Sequence, residues 1–157
     1  MLVMTLLNSN SLSSVGIKLK EGQKEHSDKT IPFITDPKEK LPDYRLSYSI
    51  DGQWHVIGTS VNKTAADWID FEISDPPNLA LVRGIRVSDK DSIEHDLLEE
   101  VQLVDSSPTG DKFHYRIETK RSFKSGMVWF STTPLGIAIF GGIGLAVFLL
   151  VLSNLNI

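Results

Sequence analysis

Cysteine is absent from the 157-residue chain, and with it go disulfide frameworks, zinc–thiolate sites, iron–sulfur ligation and thiol catalysis. Histidine is scarce: the four residues, His26, His55, His95 and His114, stand in no metal-ligand spacing. A Gly-x-Ser-x-Gly elbow, a glycine-rich phosphate loop and a dinucleotide fingerprint are all missing. An excess of basic residues is missing too, since the net charge is −4, and this argues against nucleic acid as a partner. The sequence therefore predicts no catalytic residues, no metal and no cofactor, and a function other than an enzyme's.

Charge is absent from residues 125–157, every Lys, Arg, Asp and Glu lying at or before Lys124. Within this stretch, residues 135–152 form an uninterrupted run of 18 apolar residues. At about 1.5 Å per residue, and with its flanks, such a run crosses a hydrocarbon core of roughly 30 Å. Thr133 and Pro134 read as a helix start, with Thr as cap and Pro at the first helical position. Trp129 falls where an aromatic belt residue rests at the headgroups, and the basic residues Lys120, Arg121 and Lys124 flank the same side. The positive-inside rule then places the preceding domain in the cytoplasm, with a short C-terminal tail across a membrane that is spanned once. Ala138, Gly142 and Ala146 recur every four residues and make a small-residue ridge suited to packing against another membrane helix. The N-terminal apolar stretch 1–7 lacks a basic leader and a cleavage site, and reads as a strand, an arm or a loose terminus.

What is present before the anchor is alternation. Residues 44–50 place Tyr44, Leu46, Tyr48 and Ile50 on one side, and Asp51-Gly52 follows as a strong hairpin turn before a returning strand at 53–59. Further strands are predicted at 15–19, 68–73, 79–87, 99–104 and 112–119, with Gly84 marking a bulge or a close approach. Residues 92–100 read as one short helical turn, and 21–40 as loop in which Pro32, Phe33 and Ile34 touch the sheet. The expected architecture is mainly β: a jelly-roll-like antiparallel β-sandwich followed by one C-terminal transmembrane α-helix. Its divisions are 1–40 as arm and loops, 41–124 as sandwich and 125–157 as anchor and tail.

The segment Tyr44-Arg-Leu-Ser-Tyr-Ser-Ile-Asp-Gly-Gln-Trp54, with Val82-Arg-Gly-Ile-Arg-Val87 and Glu99-Glu-Val-Gln-Leu103, resembles discoidin-like, or galactose-binding-like, domains. The likeness covers residues 44–103; Gly84 stands where that family has an aromatic, and the family's terminal cysteine pair is lacking. The resemblance implies a module that binds carbohydrate, lipid or protein in loops at one end of a jelly roll, not catalysis.

Two tryptophans, Trp54 and Trp68, carry flat faces that suit a sugar ring, although tryptophans on alternating strands more often pack. Glu94, His95, Asp96, Glu99 and Glu100 form the densest polar cluster, and Asp89, Asp91 and Asp96 lie near it; both sets read as solvated loop. Asn62-Lys63-Thr64 fits a glycosylation acceptor that a cytoplasmic domain would not use. The expected role is an accessory or scaffolding subunit, its partners other membrane subunits and the bilayer. A membrane-tethered carbohydrate- or lipid-binding module facing the cell exterior is the alternative.

Overall fold

The computed structural model describes residues 9–25, 41–90, 95–103 and 108–154. The stretches 1–7 and 32–34, and the Ser92 end of the expected helical turn, lie outside these residues. Among the described residues, seven strands precede two helices: β1 (Ser9–Leu19), β2 (Tyr44–Ile50), β3 (Gln53–Ser60), β4 (Ile69–Glu72), β5 (Val82–Lys90), β6 (His95–Gln102), β7 (Phe113–Ser122), α1 (Phe123–Thr132) and α2 (Pro134–Asn154).

The strands make two antiparallel sheets, one of three strands in the order β4-β1-β7 and one of four in the order β3-β2-β5-β6. The alternation read from 44–50 is what closes them on each other. Tyr44 and Leu46 of β2 are fully buried with Ile85 and Val87 of β5, against Leu12, Val15 and Ile17 of β1. Tyr44 meets Phe113 of β7 edge to face across the layers, ring centroids 5.8 Å apart. A two-residue turn joins β2 to β3, Asp51 and Gly52 both at positive φ (49° and 78°). That is the turn whose twist matches the flanking strands, and Gly52 meets its demand without strain.

Several expectations change in the structure. β1 runs from Ser9 and is the middle strand of its sheet, so the strand expected at 15–19 extends back to Ser9 within the expected arm. Its first half, Ser-Asn-Ser-Leu-Ser-Ser, is held by hydroxyl hydrogen bonds and by pairing with the last turn of β7, which hydrophobic alternation does not reveal. His95–Gln102 is a strand and not a helical turn, because it pairs with β5 along its whole length. Residues 79–81 form a 3-10 turn before β5 begins at Val82. Gly84 marks both features expected of it: β5 shifts register against β2 between Val82 and Gly84, and a Cβ at Gly84 would stand 3.0 Å from the Val101 carbonyl oxygen and 3.5 Å from the Trp54 ring. Asp89 is fully buried, its carboxylate accepting from the Asp43 amide at 2.9 Å, so it belongs to no solvated loop.

The helix expected at the C-terminus is α2, of which residues 134–153 are long and apolar enough to cross a membrane. Almost none of its surface is covered by the rest of the chain. The Thr133 hydroxyl accepts from the Gly136 amide at 3.1 Å, the cap that the sequence predicts. The expected boundary at 124/125 falls inside α1, a separate ten-residue helix.

Candidate functional site

Ser122 ends β7 and caps α1 in the same position, its hydroxyl accepting from the Ser125 amide at 3.3 Å, so no linker separates sheet from helix. α1 turns Ser125 and Gly126 inward onto β1. Only small side chains permit this approach, and their polarity is answered locally. The Ser125 hydroxyl bonds to that of fully buried Ser11, which β1 places beside it.

Asn78, 2% exposed, completes the seam from the loop after β4. Its amide nitrogen donates to the Ser9 hydroxyl and, at 3.2 Å, to the Ser125 carbonyl. Its amide oxygen accepts from the Ala80 amide at 2.9 Å and so caps the 3-10 turn. Leu12 donates to the Pro77 carbonyl at 2.9 Å and fixes the loop against β1. Outside the buried cluster, Lys124 reaches Asp75 at 2.8 Å with both side chains about three-quarters exposed, a pair that contributes little on its own.

One residue, Thr133, separates α1 from α2. Its amide and hydroxyl both donate to the Phe130 carbonyl, at 3.0 and 2.7 Å. Phe130 stands edge-on to Phe140, ring centroids 6.2 Å apart. Gly136 lies so close that a Cβ would come within 1.9 Å of the Phe130 oxygen, a distance no side chain tolerates. Sheet, first helix and apolar helix are thus connected through two tight joints.

The predicted interface residues gather around this seam. Lys120 and Arg121 are exposed at the end of β7, Lys124 lies on the first turn of α1, and Trp129 is half-buried on its last. Ala138, Gly142 and Ala146 are exposed on α2, and a Cβ added at Gly142 would meet nothing within 4 Å. The two tryptophans are not brought together. Trp54 lies on the outer face of the four-stranded sheet, across Ser49 and Gly84, with the Arg86 guanidinium 3.9 Å from its ring centroid. Trp68 precedes β4 in the other sheet and is covered by Arg116 at 4.6 Å. Beside Trp54 runs a groove of about 360 Å³ floored by Ser47 and Ser88 and walled by Arg45, Val56, Arg86 and Leu97.

The opposite end of the sandwich carries two carboxylates that sequence reading left in solvent or passed over. Glu99 accepts from the amides of Asp111, Lys112 and Phe113 at 2.6, 2.7 and 3.1 Å and from the Tyr115 hydroxyl at 2.7 Å. It is a clamp on the start of β7, not a solvated loop residue. Its neighbour Glu100 pairs with Arg86 at 2.7 Å. Glu25 accepts from the Tyr44 hydroxyl, the Thr64 hydroxyl and the Ala65 amide at 3.0, 2.8 and 2.5 Å. Burial, and then the carboxylate beside each hydroxyl, holds Tyr44 and Tyr115 well above the ordinary tyrosine range.

Asn78, Ser11, Ser122 and Ser125 were not foreseen as a unit. The only signal for them was a run of serines in an otherwise β-patterned chain. Their hydroxyls and amide join β1, the loop after β4 and α1. Among the described residues, no group of three or more His, Asp or Glu side chains converges as a metal site would require. No family model matches the chain, and neither a curated protein nor a solved structure matches it.

Proposed function

We propose that this chain is a non-catalytic accessory subunit of a membrane protein complex, its apolar helix packed among other membrane helices and its sandwich covering a soluble face of the assembly. The observation that carries this reading is the linker-free path from β7 through α1 to α2, with α2 bare along its length. A domain that binds freely diffusing ligand gains from a flexible tether, whereas one that must sit at a fixed place on a larger body gains from a stiff one. The ridge of Ala138, Gly142 and Ala146 gives a neighbouring helix room for close backbone approach. The basic flank of Lys120, Arg121 and Lys124 supports a cytoplasmic position for the sandwich.

Gentle solubilisation of the native membrane followed by native electrophoresis tests the reading. The chain should migrate within a larger species, and Gly142→Leu should release it. Migration as a lone monomer, with Gly142→Leu changing nothing, overturns it.

A second reading is favoured by the groove beside Trp54, which offers an aromatic wall, two arginines and a hydroxyl floor. Together with the resemblance to galactose-binding-like domains, it supports a membrane-tethered carbohydrate- or lipid-binding module. Any sugar stacking on the face of Trp54 that Arg86 covers must displace that guanidinium. Protease accessibility of the sandwich in intact cells separates the two readings, since this second one requires the domain outside. A glycan array probed with the detergent-solubilised chain then finds or excludes the ligand.

A further inference from the structure

The outward face of α1 is apolar where a helix on a water-soluble domain would be charged. Phe123 and Val128 are 56% and 52% exposed, and Met127 and Phe130 are half-exposed, while the inward face is Ser125 and Gly126. Phe123, Met127 and Phe130 recur at four and three residues, so they share one side of the helix. Left in water, that side would be a standing hydrophobic patch next to a helix already too apolar for water.

We propose that α1 lies in the headgroup layer of the bilayer as an interfacial helix, and that the seam end of the sandwich rests on anionic lipid through Lys120 and Arg121. Three observations converge on a lipid surface as the occupant. α1 is continuous with the membrane-spanning candidate through a single residue, Thr133, and the joint at Gly136 keeps the two helices in contact. Its outward side carries bulky Phe and Met side chains, and half-buried Trp129 stands on its last turn, residues that suit the headgroup–acyl boundary. Three basic side chains stand beside it: Lys120 and Arg121, exposed at the end of β7, and Lys124, which pairs with Asp75. A helix with a polar face toward its own domain and an apolar face away from it is built to lie along a boundary and not to cross it.

The proposal rests on α2 spanning the bilayer, and the experiment keeps the two claims apart. The chain has no cysteine, so single spin labels can be placed on the full-length protein at Phe123→Cys and Val128→Cys, with Glu21→Cys, exposed in the turn after β1 at the end away from α1, as reference. Each is reconstituted into neutral vesicles and into vesicles containing phosphatidylserine, and carbonate extraction is run first. Loss of the protein from the vesicles at that stage overturns the spanning reading itself. With the protein retained, depth is read from collision with oxygen against a water-soluble nickel chelate. Labels at 123 and 128 should report a depth of about 5–10 Å below the headgroups, and the label at 21 should report water. Phosphatidylserine should deepen the first two, and Lys120→Glu with Arg121→Glu should abolish that response.

Labels at 123 and 128 as exposed to nickel as the label at 21 overturn the proposal while leaving α2 in place. So do labels shielded from both reagents, which would mean contact with a second copy of the chain. Tryptophan fluorescence supplies the cross-check: with Trp54→Phe and Trp68→Phe leaving Trp129 as the one emitter, shallow brominated lipid should quench it, and failure to do so overturns the proposal.

Discussion

The two ends of the sandwich are stitched by different chemistry. At the end farthest from the helices, carboxylates do the joining: Glu99 gathers three backbone amides and a tyrosine, and Glu25 gathers an amide and two hydroxyls. At the end that carries α1, the buried joints are neutral, formed by Ser11, Ser122, Ser125 and Asn78. A charged acceptor makes roughly twice the hydrogen bond of a neutral one, but it must stay solvated or fully partnered. Water supplies that solvation at a distal end. Beside a bilayer it is harder to supply, and neutral hydroxyls and an amide hold the chain without an ion to desolvate. The difference is the one expected if one end faces solvent and the other faces lipid.

The comparison breaks most sharply at Glu99. Glu99→Ala leaves four donors without their shared acceptor, and part of that cluster is buried with Tyr115. A loss of about 3 kcal/mol in stability is expected, from charge-assisted bonds worth about 1.5–3 kcal/mol before water replaces some of them. Urea unfolding of the detergent-solubilised chain, followed by β-sheet circular dichroism, measures it. A loss under about 1 kcal/mol would mean that solvent serves the β7 start as well as the carboxylate does.

At the seam, Asn78→Ala should cost less, about 2 kcal/mol, because the orphaned groups are neutral. Its signature is local. Amides of α1 and of the 3-10 turn at Leu79–Leu81 should exchange faster, while those of β2 and β5 keep their protection. Uniform acceleration across the sandwich would show that the seam is part of one cooperative core and not a separate joint.

The sequence made some of this architecture plain and hid the rest for a definite reason. Alternation at Tyr44–Ile50, the Asp51-Gly52 turn and the uncharged run ending the chain are patterns of side-chain polarity, and they led directly to β2, β3 and α2. Ser9–Leu12 and His95–Leu98 are polar stretches that became strands because their partners are backbone groups or hydroxyls far along the chain. Glu99 looked solvated because the amides it binds leave no letter in the sequence. α1 was merged with the anchor since both are apolar, and only the buried Ser125-Gly126 pair sets it apart. Of the candidate site, the basic and apolar residues of β7 and α1 stand out in the sequence, and the neutral seam behind them does not.

The smallest effect sharpens the comparison through pH. Burial, and then Glu99 beside its hydroxyl, holds Tyr115 above the ordinary tyrosine value of about 10, so the folded chain keeps its phenolic proton longer than the unfolded chain does. The sign follows: stability from this group is complete below about pH 10 and falls as pH rises beyond it, because only the unfolded state then releases the proton. Tyr44 beside Glu25 acts in the same direction. Tyr115→Phe should cost about 1 kcal/mol near neutral pH, the worth of one hydrogen bond, yet flatten the alkaline decline. If wild type and variant lose stability in parallel between pH 9 and 11, a range set about the ordinary tyrosine value, the distal end does not carry the alkaline sensitivity. The seam has no tyrosine hydroxyl among its hydrogen-bonded members, so protection of the α1 amides should fall with the global unfolding and not ahead of it.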